Sequence, residues 1–307
     1  MGDRVLSSKT AIALAAIAAL TVILFRHTLS GLFSRWTDWE DGTYSHGILV
    51  PAFSLFLVID MRRRLIRTPI KPSWAGLAVV TMAILLYMAG RLGNTLFIQS
   101  VAFIVAVAGV TLLAGGWAFL RATALPIGFL VFMCPLPSGF YDAVSADLRL
   151  AASTASTVIL QLARVPAYRE GNIIYLPGAA PMSVEDACSG IRSLFSITAT
   201  AVAFSVLSRG GPARKAALVM SAVPIAVVSN IVRVTGTGIL LCHGSERLAQ
   251  GFYHYLGGWV LYVVALAALF GEYLLLETVF PLYGNGGRGS AAGNAAAEGS
   301  GQTKSLS

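Results

Sequence analysis

Long apolar runs separated by short polar segments make up most of the chain. Each run has about the 20 residues that a helix needs to cross roughly 30 Å of hydrocarbon, so the pattern predicts an all-α polytopic membrane protein of about eight transmembrane helices. The predicted spans are 10–26, 44–60, 74–90, 95–114, 122–137, 188–207, 216–240 and 253–280. Gly115, Gly116 and Arg121 mark the short turn that separates the fourth span from the fifth.

The segment 138–187 lies between two spans and is predicted to be extracytoplasmic. Its first part repeats apolar residues at spacings of three and four, which predicts an amphipathic helix on the outer face of the bilayer, with Ser153 and Ser156 on its polar side. Its second part holds "NIIYL" (172–176) and "MSVED" (182–186) around the turn "PGAAP", which predicts a small β-hairpin. The hairpin would lead the chain to Cys188 at the start of the sixth span.

Composition agrees with a membrane protein, because 56% of the residues are apolar, 12% are charged and the mean hydropathy is +0.74. Soluble domains carry about twice that share of charge. With the N-terminus in the cytoplasm, 13 of the 22 basic residues fall inside, 7 fall outside and 2 lie within spans. This distribution follows the positive-inside rule, so the net charge of +8 reflects topology and we expect no nucleic-acid partner.

Both ends of the chain are cytoplasmic in this topology. The first apolar run has no A-x-A-like cleavage site and is expected to be a retained anchor. The residues from 284 to 307 are small, polar and low in complexity, which predicts a disordered cytoplasmic tail. The predicted organisation is therefore a membrane domain over 1–283 followed by this tail.

Three chemically reactive side chains fall at the same predicted depth of the membrane. Cys188 opens the sixth span at its outer end, and His254 in "GFYHYLGGW" lies in the first turn of the eighth. Arg233, in "SNIVRVTGTG", lies 17 residues after the predicted start of the seventh span, roughly 25 Å along a helix. Asn230 lies on the same face one turn earlier, so this face carries two polar groups that need partners inside the bundle.

Together these side chains suggest acyl transfer at the outer membrane surface. The thiolate of Cys188 would be the nucleophile, favoured by the helix N-terminus and by Arg192 at i+4. His254 could act as base and then as acid to the leaving group, and Arg233 could stabilise an oxyanion. Taken singly, each residue also has an ordinary structural interpretation: an apolar filler, an interfacial histidine and an arginine that extends to the headgroups.

The remaining histidines and cysteines give weaker signals. His46, in the loop "WTDWEDGTYSHGILVP" (36–51), is either an interfacial side chain or part of a substrate-binding loop. Cys134 and Cys242 both fall near outer helix ends and are predicted to form a disulfide that leaves Cys188 free. No metal-ligand spacing and no cofactor motif occurs, so no metal and no cofactor is expected.

The motifs "DACSGIRSLFS", "NIVRV" and "FYHYLGGWVLY", each in or opening a span, resemble the exosortase/archaeosortase family of multispanning membrane cysteine transpeptidases. "DGTYSHGILVP" and the arginine cluster after it look like the N-terminal region of the same family. The resemblance covers roughly residues 36 to 280. It implies that Cys188, Arg233 and His254 are catalytic.

The resemblance also implies a setting for this chemistry. The enzyme would lie in the bacterial inner membrane with its active site facing the periplasm, often beside exopolysaccharide synthesis. Its partners would be exported proteins with a C-terminal PEP-CTERM-like sorting signal, which are cleaved through a thioester and transferred to an acceptor such as a membrane lipid or glycan. Arg192, Asn230 and His46 are the predicted substrate-binding residues.

Two other classes of protein fit part of the pattern. A transporter or flippase for lipid-linked glycans would use Arg233 and His254 to bind phosphate, but no inverted repeat is visible and transport does not require Cys188. A membrane acyltransferase could use His254 alone. Replacement of Cys188 separates the three classes, because only the cysteine peptidase should lose all activity.

Overall fold

The computed structural model of the chain describes residues 16–17, 19–38, 44–184, 191–208, 210–242 and 257–279, and these are mostly helical. The α-helices, numbered in chain order, are α1 Arg26–Trp36, α2 Leu49–Asp60, α3 Arg62–Arg67, α4 Ala75–Leu92, α5 Leu96–Phe129, α6 Ser138–Leu162, α7 Ile191–Leu207, α8 Pro212–Met220, α9 Ala222–Cys242 and α10 Gly257–Val279. Two short 3₁₀ helices, Ser45–Ile48 and Leu130–Met133, precede α2 and follow α5. The described strands are β1 Tyr168–Glu170, β2 Ile173–Tyr175 and β3 Met182–Ser183.

Three of the described helical stretches are long and apolar enough to cross a membrane: Ala75–Leu92, Leu96–Met133 and Pro212–Cys242. Two shorter apolar stretches, Ser45–Asp60 and Leu194–Leu207, lie in two further predicted spans. Large apolar side chains such as Met82, Leu85 and Val263 are exposed on helix surfaces, as expected where hydrocarbon replaces water. The chain is therefore a helical multi-pass membrane protein, while the total of eight spans stays a prediction.

The chain divides into two compact units, Met1–Arg149 and Leu150–Ser307, and the division falls within α6. In the first unit, α4 and the first part of α5 form an antiparallel pair. Their backbones approach closely at glycines: a Cβ added to Gly109 would lie 2.9 Å from the Val80 nitrogen, and one added to Gly90 would lie 2.9 Å from the Gln99 nitrogen. Small residues allow this contact between helices in a membrane, where close packing replaces the hydrophobic effect.

A sharp bend at Gly116 divides α5. Its backbone dihedral angles are φ 80° and ψ −176°, and a Cβ there would overlap the Lys71 carbonyl, so only glycine fits. The Lys71 nitrogen donates a 3.1 Å hydrogen bond to the Gly115 carbonyl, which ties the bend to the segment before α4. Beyond the bend, Ser54 of α2 donates to the Pro126 carbonyl at 2.7 Å. The second part of α5 therefore packs against α2, and the bend lies in the turn that the sequence predicts between the fourth and fifth spans.

In the second unit, α7, α9 and α10 share a core of small and aliphatic side chains. The buried residues of this core are Ile197 and Ala201 of α7, Ala222 and Ala226 of α9, and Ala265 and Leu269 of α10. The hydroxyl oxygens of Thr200 and Tyr262 are 2.9 Å apart and connect α7 to α10. The three helices that carry or directly adjoin the predicted reactive residues thus form one bundle.

A second core of this unit joins α6, the strands and the end of α9. Leu160, Ile174, Met182 and Val234 are all buried in it. β2 pairs antiparallel with β3, with Ile173 opposite Ser183, inside the segment predicted as a hairpin. β1 adds a third strand that the sequence pattern did not indicate, in the order β1-β2-β3.

The orientation predicted for α6 is wrong in this unit. Ser153 and Ser156, predicted to face water, are fully buried, while Ile159 and Leu162 of the predicted apolar face are exposed. The Ser156 hydroxyl donates to the Ile231 carbonyl at 3.3 Å, and Leu160 packs against Gly238. In a membrane protein small polar residues face neighbouring helices, and the apolar face is left for lipid.

Candidate active site

The structure describes some of the predicted site residues, among them Arg233, Asn230 and His46, but not all of them. Cys188 and His254 lie outside the described residues. The described part of α7 begins three residues after Cys188, and that of α10 begins three residues after His254. Arg192 belongs to the first turn of α7, although its side chain is not described. Arg233 and Asn230 of α9 are therefore the predicted site residues of the second unit whose side chains the structure describes.

Contacts inside the bundle fix the relative directions of α9 and α10. The Arg214 guanidinium of α8 donates to the Tyr273 carbonyl at 3.3 Å, near the end of α10, and lies over the Tyr273 ring. Further along, Ala222 and Ala226 share a core with Ala265 and Leu269. Residues later in α8 and α9 therefore contact residues earlier in α10. The two segments are antiparallel.

Arg233 consequently lies toward the end of the bundle where α10 begins. It is seven residues beyond Ala226, roughly 10 Å of helix, and Gly257 is eight residues before Ala265, roughly 12 Å. The start of α7 lies toward this end as well, because α7 ends at Leu207, only five residues before Pro212 begins α8 at the end that carries Arg214. Arg233 is thus near the level of the first turns of α7 and α10.

The guanidinium of Arg233 is held within its own helix. Its Nη2 donates a hydrogen bond of 2.9 Å to Oδ1 of Asn230, one turn earlier. Asn230 is buried, at 4% exposure, whereas Arg233 is half-buried. The pair brings together two of the predicted site residues, as the i, i+3 spacing indicates.

The helix around this pair is fixed by neighbouring polar contacts. The Thr237 hydroxyl donates to the Arg233 carbonyl at 3.0 Å, and Ser156 of α6 donates to the Ile231 carbonyl. Val234, on the adjacent face, is fully buried in the core that α9 shares with α6 and the strands. Sequence reasoning missed α6 as a support of this turn, because its serines were assigned to the solvent side.

His46 belongs to the other unit. Its ring is hydrogen-bonded to the Phe132 backbone, and the neighbouring Gly47 packs closely against the Trp36 indole. The Trp36 nitrogen Nε1 donates to the carbonyl of Met133 at 3.3 Å. His46 and Trp36 are thus bonded to the backbone of two consecutive residues, Phe132 and Met133, which assigns His46 a structural contact in addition to its predicted binding role.

The disulfide predicted between Cys134 and Cys242 is absent, because both are free cysteines. Cys134 is buried in the first unit, where its sulfur is 3.9 Å from the Leu130 carbonyl. Cys242 packs against the core of α6, α9 and the strands in the second unit. Each thiol is therefore accommodated as a small apolar side chain within its own unit.

Among the residues that the structure describes, no group of three histidine, cysteine or acidic side chains could hold a metal ion. The chemistry available on α9 is that of a positioned guanidinium, which can donate hydrogen bonds to an anionic oxygen.

The apolar helices and their lipid-type packing define the class as a multi-pass helical membrane protein. The family model described as Transmembrane exosortase (Exosortase_EpsH) matches residues 36–271. The chain therefore belongs to the transmembrane exosortase family, and the resemblance seen in its motifs is confirmed. No curated protein and no solved structure matches the chain.

Proposed function

We propose that the protein is a membrane-embedded cysteine transpeptidase that cleaves the C-terminal, PEP-CTERM-like sorting signals of exported proteins. Cys188, Arg233 and His254 are its catalytic residues, and they face the periplasm from a bacterial inner membrane. Membership of the exosortase family supports the reaction class. The main structural support for assigning these residues to catalysis is the position of the Arg233 guanidinium. It is hydrogen-bonded to Asn230 near the level where α7 and α10 begin.

In the first step, the Cys188 thiolate attacks the carbonyl carbon of the scissile peptide bond. The carbonyl oxygen becomes an oxyanion, to which the Arg233 guanidinium donates hydrogen bonds. His254, as the imidazolium, then protonates the amine as the peptide bond breaks. The C-terminal fragment leaves as an amine, and the N-terminal part of the substrate remains attached to Cys188 as a thioester.

In the second step, an acceptor attacks the thioester carbonyl while neutral His254 removes its proton. The oxyanion forms again beside Arg233, and the thiolate of Cys188 leaves. With an amine or hydroxyl of a membrane lipid or glycan as acceptor, the product is a lipid- or glycan-linked protein; with water it is a free carboxylate. The same three residues serve both steps, and the second step regenerates the Cys188 thiolate and the His254 imidazolium.

Asn230 acts in this proposal as a positioning residue for Arg233. Arginine carries considerable rotamer freedom, and a buried acceptor one turn away limits the orientations of its planar fork. Arg192 favours the thiolate from the first turn of α7, and His46 is a proposed substrate-binding residue. These three residues are the proposed substrate-binding and supporting positions.

The test is processing of a co-expressed reporter that carries a C-terminal sorting signal, measured by mass spectrometry of its new C-terminus. Wild type should process the reporter, and Cys188→Ala should leave it uncut while inserting normally. The chain offers matched controls, because Cys134→Ala and Cys242→Ala remove the other thiols and should keep activity. Processing by a well-inserted Cys188→Ala variant would contradict the proposal and favour the glycan transporter.

A further inference from the structure

The short helix α3 presents arginines around an open depression of the first unit. Arg63, Arg64 and Arg67 line it together with Thr68 and Pro69, and its volume is about 540 Å³. All three arginines are exposed. Three guanidinium groups directed to one concavity form a strongly cationic surface with fifteen N–H donors in total, five from each.

The sequence around this surface supplies almost no negative charge. Asp60 ends α2 just before the arginines, and the next acidic residue in the chain is Asp142. Hence α3, α4 and α5 contribute no carboxylate at all. A cluster of like charges that lacks internal counter-charges attracts anions from its surroundings.

The backbone beneath the arginines is fixed. Thr68 donates from its hydroxyl to the Arg64 carbonyl at 2.9 Å, closing the end of α3. Three residues later, the Lys71 nitrogen is bonded to the Gly115 carbonyl at the bend of α5. The arginine helix is therefore attached to the helical framework on its C-terminal side and does not lie on a free loop.

Exposed aromatic and aliphatic side chains place this surface at the edge of the bilayer. Trp74, at the start of α4, is 83% exposed, and Trp117, beside the bend, is 54% exposed. The contact of Lys71 with Gly115 puts the two tryptophans at the same end of the α4–α5 pair. Ile66 is 83% exposed between the arginines. Tryptophans are enriched at the headgroup level of membranes, so the arginines lie where phosphate groups are found.

We propose that this surface is a binding site for the phosphate of an anionic phospholipid headgroup, with Arg63, Arg64 and Arg67 as its ligands. The positive-inside rule accounts for the number of basic residues here but requires no common concavity. Guanidinium groups bind phosphate through paired N–H donors, and the exposed side chains of Ile66 and Trp74 are available to contact acyl chains. The site is independent of the proposed peptidase chemistry.

The test uses the full-length protein in detergent micelles titrated with pyrene-labelled phosphatidylglycerol or phosphatidylcholine. Wild type should bind phosphatidylglycerol at least about tenfold more tightly than phosphatidylcholine. The Arg63→Gln/Arg64→Gln/Arg67→Gln variant should bind phosphatidylglycerol at least about thirtyfold more weakly than wild type. Each arginine should contribute about fivefold or less to this loss of affinity. Equal affinity of wild type for the two lipids, or an unchanged affinity of the variant, would refute the proposal that these arginines bind an anionic phospholipid.

Two controls separate a built site from general charge and from free phosphate. Arg26→Gln/Arg35→Gln/Arg91→Gln removes the same charge from exposed arginines elsewhere in the unit and should bind like wild type. Arg63→Lys/Arg64→Lys/Arg67→Lys keeps the charge and the topological signal but should bind at least about fivefold more weakly. Full affinity in the lysine variant would refute the guanidinium site. Displacement of the lipid by millimolar inorganic phosphate would refute the lipid as its occupant.

Discussion

Arg233 and Asn230 are joined across one turn of α9, with the arginine Nη2 2.9 Å from the asparagine Oδ1. The bond engages one of the five N–H donors of the guanidinium, and the buried amide fixes the orientation of the plane. In the proposed reaction this orientation determines how well the remaining donors reach the oxyanion. Loss of Asn230 should therefore impair catalysis through Arg233, an effect that would not be expected if the arginine had no such support.

Asn230→Ala should lower kcat for reporter processing by about 10- to 100-fold and change KM little, because Arg233 acts on the transition state. Asn230→Asp, which keeps an acceptor oxygen at the same position, should retain more activity than the alanine variant. Ser229→Ala is the matched control on the same helix and should be close to wild type. A purely structural role of Asn230 would instead reduce the amount of folded protein and leave kcat per folded molecule unchanged.

The proposed role of Arg192 predicts a dependence on pH. An ordinary cysteine is mostly protonated at neutral pH, so loss of a nearby cation should reduce the thiolate fraction of Cys188. The rate deficit of Arg192→Ala should be largest near about pH 6.5 and should shrink toward about pH 9, where the thiol ionises without help. The measurement is the ratio of wild-type to variant kcat/KM across this range. A ratio that does not change with pH would assign Arg192 to substrate binding alone.

The bend at Gly116 predicts a large effect of a single methyl group. Gly116→Ala places a Cβ at φ 80° against the Lys71 carbonyl and should destabilise the protein by at least about 2 kcal/mol. Gly128→Ala is the matched control in the same helix, since a Cβ there meets no atom within 4 Å. It should be neutral or stabilise by up to about 1 kcal/mol. Thermal unfolding of the detergent-solubilised variants checks both, and equal midpoints for the two would contradict the bend.

The proposed topology can be tested with single cysteines in a background where Cys134, Cys188 and Cys242 are serine. Glu170→Cys, on the exposed strand β1, should react with a membrane-impermeant maleimide in right-side-out membranes. Ile70→Cys, beside the arginine helix, should react only after permeabilisation. Protection of Glu170→Cys until the membranes are permeabilised would place α7 and α9 in the wrong orientation for a periplasmic site, and labelling of Ile70→Cys from outside would invert the predicted topology before α4.

Sequence reasoning was most successful where a single residue type imposes the backbone or the pairing. The glycines at 115 and 116 indicated the turn inside α5, and the spacing of Asn230 and Arg233 indicated a shared face. Membership of the exosortase family followed from short motifs that remain recognisable without any structure. These features are local in the chain, so periodicity and motif spacing are sufficient to predict them.

Other features depend on distant contacts or on the surrounding solvent. The serines of α6 were assigned to the outside because the pattern was interpreted for a helix facing water, whereas Ser156 bonds to the Ile231 carbonyl. β1 was missed because its three residues alternate too briefly to give a signal. The predicted disulfide was wrong because the prediction depended on similar predicted depth alone, whereas a disulfide also requires Cα atoms within about 7 Å, and both cysteines are free.

A covalent acyl-enzyme on Cys188 is detected most directly by intact mass spectrometry of the protein quenched in acid during turnover of a sorting-signal substrate. The proposal predicts an adduct with the mass of the N-terminal substrate fragment, located on Cys188 and removed by hydroxylamine. Arg233→Lys should form the same adduct about 10²-fold more slowly, because a point charge does not reproduce the planar donor fork. Processing that continues without any adduct, or an adduct on Cys134 or Cys242, would contradict a thioester mechanism at Cys188.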